Sequence, residues 1–211
     1  MKARLFFGAL CMFVLSGCSL SLGEGDVKSF YVLDDAKGNV DASSDGKHQI
    51  FQKLPLSIVI RDTTSGQFLS GQRIVFSSDA SSRGYYQYSY WVEPPAKRFS
   101  LLLQRRLENC GMFKSVVRRS SSTVGDVQLN TDLIEFYHDI EEEPGSVKIS
   151  INVELVDLKT FAILGQKEFS LSVPVKSYNI DGAVEGFGVA VSKILDEVTT
   201  WSYENLAKKD I

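Results

Sequence analysis

Between residues 148 and 173 the chain alternates apolar and polar side chains, and that alternation limits the folds open to it more than any other feature. Ile149, Ile151, Val153 and Leu155 take turns with Lys148, Ser150, Asn152 and Glu154. After a turn at Asp157-Leu158-Lys159-Thr160 the period resumes with Phe161 and Ile163, then Phe169, Leu171 and Val173. A repeat of two sends the apolar set to one side of a strand and the polar set to the other. Two such runs around a short polar turn predict a long antiparallel hairpin with one face that must be covered.

Two amphipathic helices can cover it. Pro94-Pro95 stops a tyrosine-rich run and opens the first, because proline is accepted at the first helical position. Phe99, Leu102, Leu103, Leu107 and Cys110 form its apolar stripe, and Gly111 is its expected C-terminal stop. The second is expected to begin near Asp181 as N-cap, with Val184, Phe187, Val191, Ile194, Val198 and Trp201 as its stripe. Glu185 near its start and Lys208–Lys209 at its end suit the helix dipole.

Further strands are predicted at 29–33, 54–60, 71–77, 85–91 and 112–117, where aromatic and β-branched residues gather. Leu54, Leu56, Ile58 and Ile60 supply one buried face. From Val127 to His138 the parity changes: Val127 and Leu129 face one way, and Ile134, Phe136 and His138 the other. A bulge near Thr131–Leu133 accounts for the switch. The sum is an α+β fold, an antiparallel or mixed sheet with two long amphipathic helices packed on one face. Periodicity leaves the strand order open.

The N-terminus carries a different kind of information. Lys2 and Arg4 precede an apolar run from Leu5 to about Leu15, the pattern of a secretion signal and too short for the roughly 20 residues of a spanning helix. It ends in Leu15-Ser16-Gly17-Cys18, a tetrapeptide that resembles the bacterial lipobox. The resemblance implies cleavage before Cys18, a diacylglyceryl thioether on its sulfur and a third acyl chain, such as palmitate, on the new amino group. Each buried methylene contributes about 0.8 kcal/mol, so several chains together anchor where one would hold only reversibly. The expected organisation is a leader over 1–17, a lipidated tether over 18–28 and a single domain over 29–211, with a Gly-, Ser- and Asp-rich loop from Asp34 to Gln49.

Loss of Lys2 and Arg4 with the leader takes the formal charge from −3 to −5. Such a chain has no electrostatic footprint for nucleic acid and no polybasic patch for anionic lipid. Of three cysteines, Cys11 leaves with the leader and Cys18 is lipidated, so Cys110 has no partner for a disulfide within the domain.

The sequence predicts no catalytic set, no cofactor and no metal. His48 falls in the polar loop. His138 stands in Glu135-Phe136-Tyr137-His138-Asp139, near Glu141–Glu143, without any metal-ligand spacing to accompany it. The serine run at 118–123 lacks a nucleophile signature, and Cys110 reads as a small buried hydrophobe. The Gly-rich stretch 181–188 lacks the third glycine of a dinucleotide loop and reads as small residues letting a helix approach its sheet. What stands out is the crowding of Tyr85, Tyr86, Tyr88, Tyr90 and Trp91. Neighbours on a strand face opposite sides, so some of these rings are expected at the surface for a partner.

In order, the lipobox ending at Cys18, "FYVLD" (30–34), "LSIVIRD" (56–62), "QRIVF" (72–76), "YSYWVEPP" (88–95) before a Leu-rich helix, "GMFKSVV" (111–117) and a long strand hairpin resemble the ABC-type transport auxiliary lipoproteins, the PqiC-like family that accompanies MCE-domain lipid transport systems. The resemblance implies a non-enzymatic lipoprotein on the periplasmic face of the outer membrane. It would hold the membrane through its lipid anchor, dock with the MCE protein and assist movement of phospholipids or other hydrophobic molecules between membranes. Ser19 after the lipidated cysteine fits sorting to the outer membrane. An interaction lipoprotein of another envelope machine, a cell-wall synthase activator or outer-membrane assembly factor, is the alternative. Oligomeric state stays open, a homo-oligomeric ring matching an MCE hexamer included.

Overall fold

The computed structural model describes residues 27–36, 51–118 and 124–208. The leader and its Leu15-Ser16-Gly17-Cys18 box, most of the tether, most of the loop after Asp34 with His48, and residues 119–123 lie outside the described residues.

Among the described residues nine strands form one mixed sheet: β1 (Ser29–Tyr31), β2 (Ser57–Ile60), β3 (Thr64–Ser65), β4 (Arg73–Ser77), β5 (Gly84–Trp91), β6 (Ser115–Arg118), β7 (Val127–Asp139), β8 (Ser146–Asp157) and β9 (Ile163–Pro174). Helix α1 (Pro95–Asn109) follows β5, and α2 (Ile180–Leu206) follows β9.

β7 is the spine. On one side β8 pairs with it antiparallel over its whole length, and β9 pairs with β8. The other side is shared by three parallel strands: β2 opposite Val127–Leu129, β3 opposite Asp132–Leu133 and β4 opposite His138–Asp139. β2 carries β6, while β4 carries β5 and β5 carries β1. The sheet therefore forks into a β2–β6 arm at the start of β7 and a β4–β5–β1 arm at its end.

The predicted α+β class holds, with both helices joined to the sheet through one core of Ile58, Ile60, Leu103, Leu107, Leu129, Ile151, Phe187, Val191, Ile194 and their neighbours. Gly186 lets α2 come close, since a Cβ there would lie 3.1 Å from Val175 and 3.3 Å from Val147. Pro95 occupies the start of α1, and Gly111 follows its C-cap at φ +66.

Four local expectations need correction. The parity switch in β7 falls between Leu133 and Glu135, so Ile134 is the unpaired extra residue and is exposed instead of joining Phe136 and His138 inside. A second register shift follows Leu155, which turns Leu164 toward the core and leaves Phe161 and Ile163 outside. Phe161 sits in the turn itself at φ +59. The N-cap of α2 is Asn179, whose side chain accepts from the Gly182 N–H at 2.9 Å, while Asp181 lies in the first turn. β2 is buried on both faces, not on the one face of Leu54, Leu56, Ile58 and Ile60 alone: Val59 is buried beside Gly125, where a Cβ would come within 2.5 Å of it.

Candidate functional site

The crowded aromatics of β5 are divided by its pairing with β4. Arg73 lies opposite Tyr90 but Val75 lies opposite Tyr85, so β5 spends extra residues between those points and its parity slips. Trp91 consequently points inward, 1% exposed, with its ring edge-on to Phe136 at 5.9 Å and Phe187 at 5.5 Å. Tyr86 also points inward, where its hydroxyl meets His138 Nδ1 at 2.8 Å.

The other three tyrosines reach the surface. Tyr90 stacks on Phe30 at 5.6 Å, with the Lys28 ammonium 5.6 Å from its ring centre. Tyr85 stacks on Phe68 at 4.4 Å, donates its hydroxyl to the Phe68 carbonyl at 3.1 Å and lies under the Arg73 guanidinium at 5.0 Å. Tyr88 is exposed, and its hydroxyl accepts from Gln87 Nε2 at 2.6 Å. Of the five residues singled out in the sequence, Tyr85, Tyr88 and Tyr90 form a surface, and Tyr86 and Trp91 do not. The sequence reading missed Phe30 and Phe68, because β1 pairing and the short 3-10 turn at Gln67–Leu69 bring them in from elsewhere in the chain. Stacked rings flanked by cations present polar edges and apolar faces together, the make-up of a protein-binding surface.

A cluster of polar side chains is packed into the core at the end of β7. His138 is fully buried and flanked by Tyr86 and by Tyr178, whose hydroxyl donates to the Ile140 carbonyl at 3.0 Å. Burial pushes the Tyr86 phenol up to about 12, and burial also pulls His138 below the usual imidazole value, with the neighbouring Asp139 charge opposing it. His138 Nε2 has no hydrogen-bond partner among the described residues. Gly145, at φ +88, fits against it: a Cβ there would lie 2.9 Å from Nε2 and 2.6 Å from the Asp139 carbonyl. Asp139 itself pairs with Lys148 at 2.6 Å, on the outside of the strand. His138 and Asp139 thus diverge, and His138 is out of reach of solvent.

The start of the domain is clamped to both helices. Arg98 of α1 donates through Nε to the Leu33 carbonyl at 2.8 Å and pairs with Asp34 and Glu93 at 3.5 and 3.6 Å. Arg106 bridges Asp35 and Asp196 of α2, with Ser192 Oγ at 3.5 Å. Tyr31 donates its hydroxyl to Asp181 at 3.0 Å, and the Ala36 N–H donates to the Gly188 carbonyl at 3.4 Å. These bonds set β1, and with it Phe30, in a fixed place.

Cys110 caps α1, half-buried, with its thiol donating to the Leu107 carbonyl at 3.1 Å; burial raises it above the usual thiol value. Two shallow concavities, of about 340 and 390 Å³, lie on the polar face beside Arg61, Asn130 and Asn152 and between β9 and α2 beside Phe169 and Trp201. Among the described residues no group of three His, Cys, Asp or Glu side chains is arranged for a metal, and no helix is long and apolar enough to cross a membrane.

A family model described as the ABC-type transport auxiliary lipoprotein component matches residues 31–199. No curated protein matches the chain. Among solved structures it is similar to protein XCC0632 from Xanthomonas campestris, with 15% identity, a TM-score of 0.71 and coverage of 84% of this chain and 96% of that one. It is also similar to the hypothetical protein CT253 from Chlamydia trachomatis, with 10% identity, a TM-score of 0.51 and coverage of 74% and 100%. At these identities the two likenesses speak for the fold.

Proposed function

This chain belongs to the family of ABC-type transport auxiliary lipoproteins, and from that premise we propose that it is a non-enzymatic, lipid-anchored docking part of a transporter that spans the envelope. Cys18 carries the acyl chains and becomes the mature N-terminus after removal of residues 1–17. The anchor holds the domain on the periplasmic face of the outer membrane. The transporter's partner subunit is an MCE-domain protein, and the cargo is phospholipid or another hydrophobic molecule passing between membranes.

The observation that carries the docking role is the outward stacking of Tyr85 on Phe68 under the Arg73 guanidinium, with Tyr88 exposed further along β5. Rings already stacked in the free protein lose little conformational freedom when a partner covers them. Anchoring adds to this by confining both partners to a thin layer, where a modest affinity suffices.

Two substitutions separate the anchor from the surface. Cys18→Ala should give folded protein that binds the purified MCE subunit in solution yet fails to support transport in cells. Tyr88→Ala should leave the unfolding midpoint within about 0.5 kcal/mol of the parent, as surface changes do, while weakening capture of the ATPase–permease complex at least tenfold. Full transport by the Cys18→Ala protein would remove anchoring from the mechanism. Co-purification with a peptidoglycan synthase in place of the transporter would redirect the assignment.

A further inference from the structure

The strand nearest the tether is unusually apolar on its solvent side. Val27, Phe30 and Val32 are 80%, 60% and 54% exposed, and Val92 on the neighbouring strand is 50% exposed. They share a face. Phe30 pairs with Tyr90 in a parallel register, and the Val92 N–H donates to the Tyr31 carbonyl, which carries Val32 and Val92 onward together. Trp91 and Tyr31 take the inward parity, so Phe30, Val32, Tyr90 and Val92 occupy the outward one. Large apolar groups gathered at a surface mark a place where something binds.

The length of chain before β1 says what that is. Val27 lies nine positions after Cys18, and at about 3.3–3.6 Å per residue that span reaches roughly 30 Å at most. If Cys18 is held in a bilayer, the first part of the domain to meet the lipid is β1 with its outward face. That face is fixed in place by the arginine clamps on Leu33, Asp34 and Asp35. Its rim suits a headgroup layer: Lys28 can extend its ammonium toward a phosphate, and Tyr90 has the apolar body and polar tip favoured at a membrane–water boundary.

We propose that Val27, Phe30, Val32 and Val92 rest in the headgroup region of the bilayer that holds the acylated Cys18, giving the domain a second, orienting attachment. The inference rests on the lipid-anchored reading above. The exposed Phe161, Ile163 and Val124 gather beside the start of β7, on the other arm of the sheet from β1. The short tether makes weak partitioning enough, because the patch never leaves the vicinity of the membrane.

The test uses the full-length lipoprotein purified from membranes in a Cys110→Ser background and reconstituted into phosphatidylethanolamine–phosphatidylglycerol vesicles. Single thiols introduced by Val32→Cys or Val92→Cys, and by Phe161→Cys as control, are labelled with an environment-sensitive fluorophore. Labels at 32 and 92 should brighten at least twofold relative to the control and be quenched by lipids carrying a spin label near the headgroup. Labels at both positions as open to aqueous iodide as the control would overturn the proposal. So would shielding that appears only when the MCE subunit is added, or only as protein density rises, since a protein partner or second copy would then be the occupant. Vesicle flotation and the acyl mass of the mature chain are read on the same samples. An unacylated, non-floating product defeats the anchor reading, whereas a floating product with wet labels defeats this inference alone.

Discussion

The two arms of the forked sheet are built from different materials. At the start of β7, Ile58, Ile60, Val127 and Leu129 are wholly buried and purely aliphatic, and each contributes packing alone. At the end of β7 the core holds the buried His138 and Trp91 with the partly buried Tyr86, and the nearby surface carries stacked rings and cations. An aliphatic arm maximises stability at little cost in unmet polar groups. The aromatic arm accepts a buried imidazole with an idle nitrogen and rings left in water. That concession fits the docking role proposed for this arm.

The largest effect should come from the aliphatic arm. Leu129→Ala removes a side chain with no exposure from the centre of the core and should cost about 3–4 kcal/mol, read as a lowered urea midpoint with unchanged slope. A loss below about 1 kcal/mol would show that this arm is loosely packed and would erase the contrast.

A smaller change, of opposite sign, is expected at the hairpin tip beside that arm. Phe161 holds a left-handed backbone, at φ +59, and is 78% exposed. Left-handed geometry costs a bulky residue about 1–2 kcal/mol and asparagine much less. Phe161→Asn should therefore raise stability by about 1 kcal/mol, measured as a higher unfolding midpoint.

The smallest effect belongs to pH and to the aromatic arm, because burial and the Asp139 charge act on His138 in opposite directions. Their net result lowers its pKa in the folded state, so the native protein favours the neutral ring. Stability from this group is complete above the unfolded value of about 6.5 and declines as pH falls below it, until the folded form is protonated as well. On acidification the imidazolium must be borne among Tyr86, Tyr178 and the Gly145 backbone, with only Asp139 to favour it. The urea midpoint should drop between pH 7 and 5, and His138→Leu should flatten that part of the curve. A slope that survives the substitution would place the acid sensitivity elsewhere.

Much of this architecture could be read from spacing. The β8–β9 hairpin, the stripe of α2, the double proline at α1 and the parity switch in β7 all leave a local record, since each depends on neighbours two to four residues apart. Errors arose where inserted residues changed the count, one at Ile134, one at Leu164 and more than one within β5. Alternation fixes relative facing only while the register holds. Strand order was invisible for a deeper reason. β2, β3 and β4 each pair with a different stretch of β7, a choice made by contacts between segments dozens of residues apart. The candidate surface was half legible: its tyrosines announced themselves by crowding, whereas Phe30 and Phe68 looked like ordinary residues until pairing placed them alongside.

The bonds joining Tyr31 to Asp181, Asp35 through Arg106 to Asp196, and Ala36 to Gly188 bring the first strand against the last helix. A polypeptide that emerges head first meets its own tail only after everything between has passed through. Until then β1 has no finished seat, and the portion beside the tether remains unassembled. A nonsense mutation just before residue 180 would spare every strand in the sheet and the Arg98 hold on Leu33 and Asp34, yet remove the partners of Tyr31 and Ala36 and the Asp196 end of the Arg106 bridge. The last stretch of chain to be made therefore finishes the seat of the first.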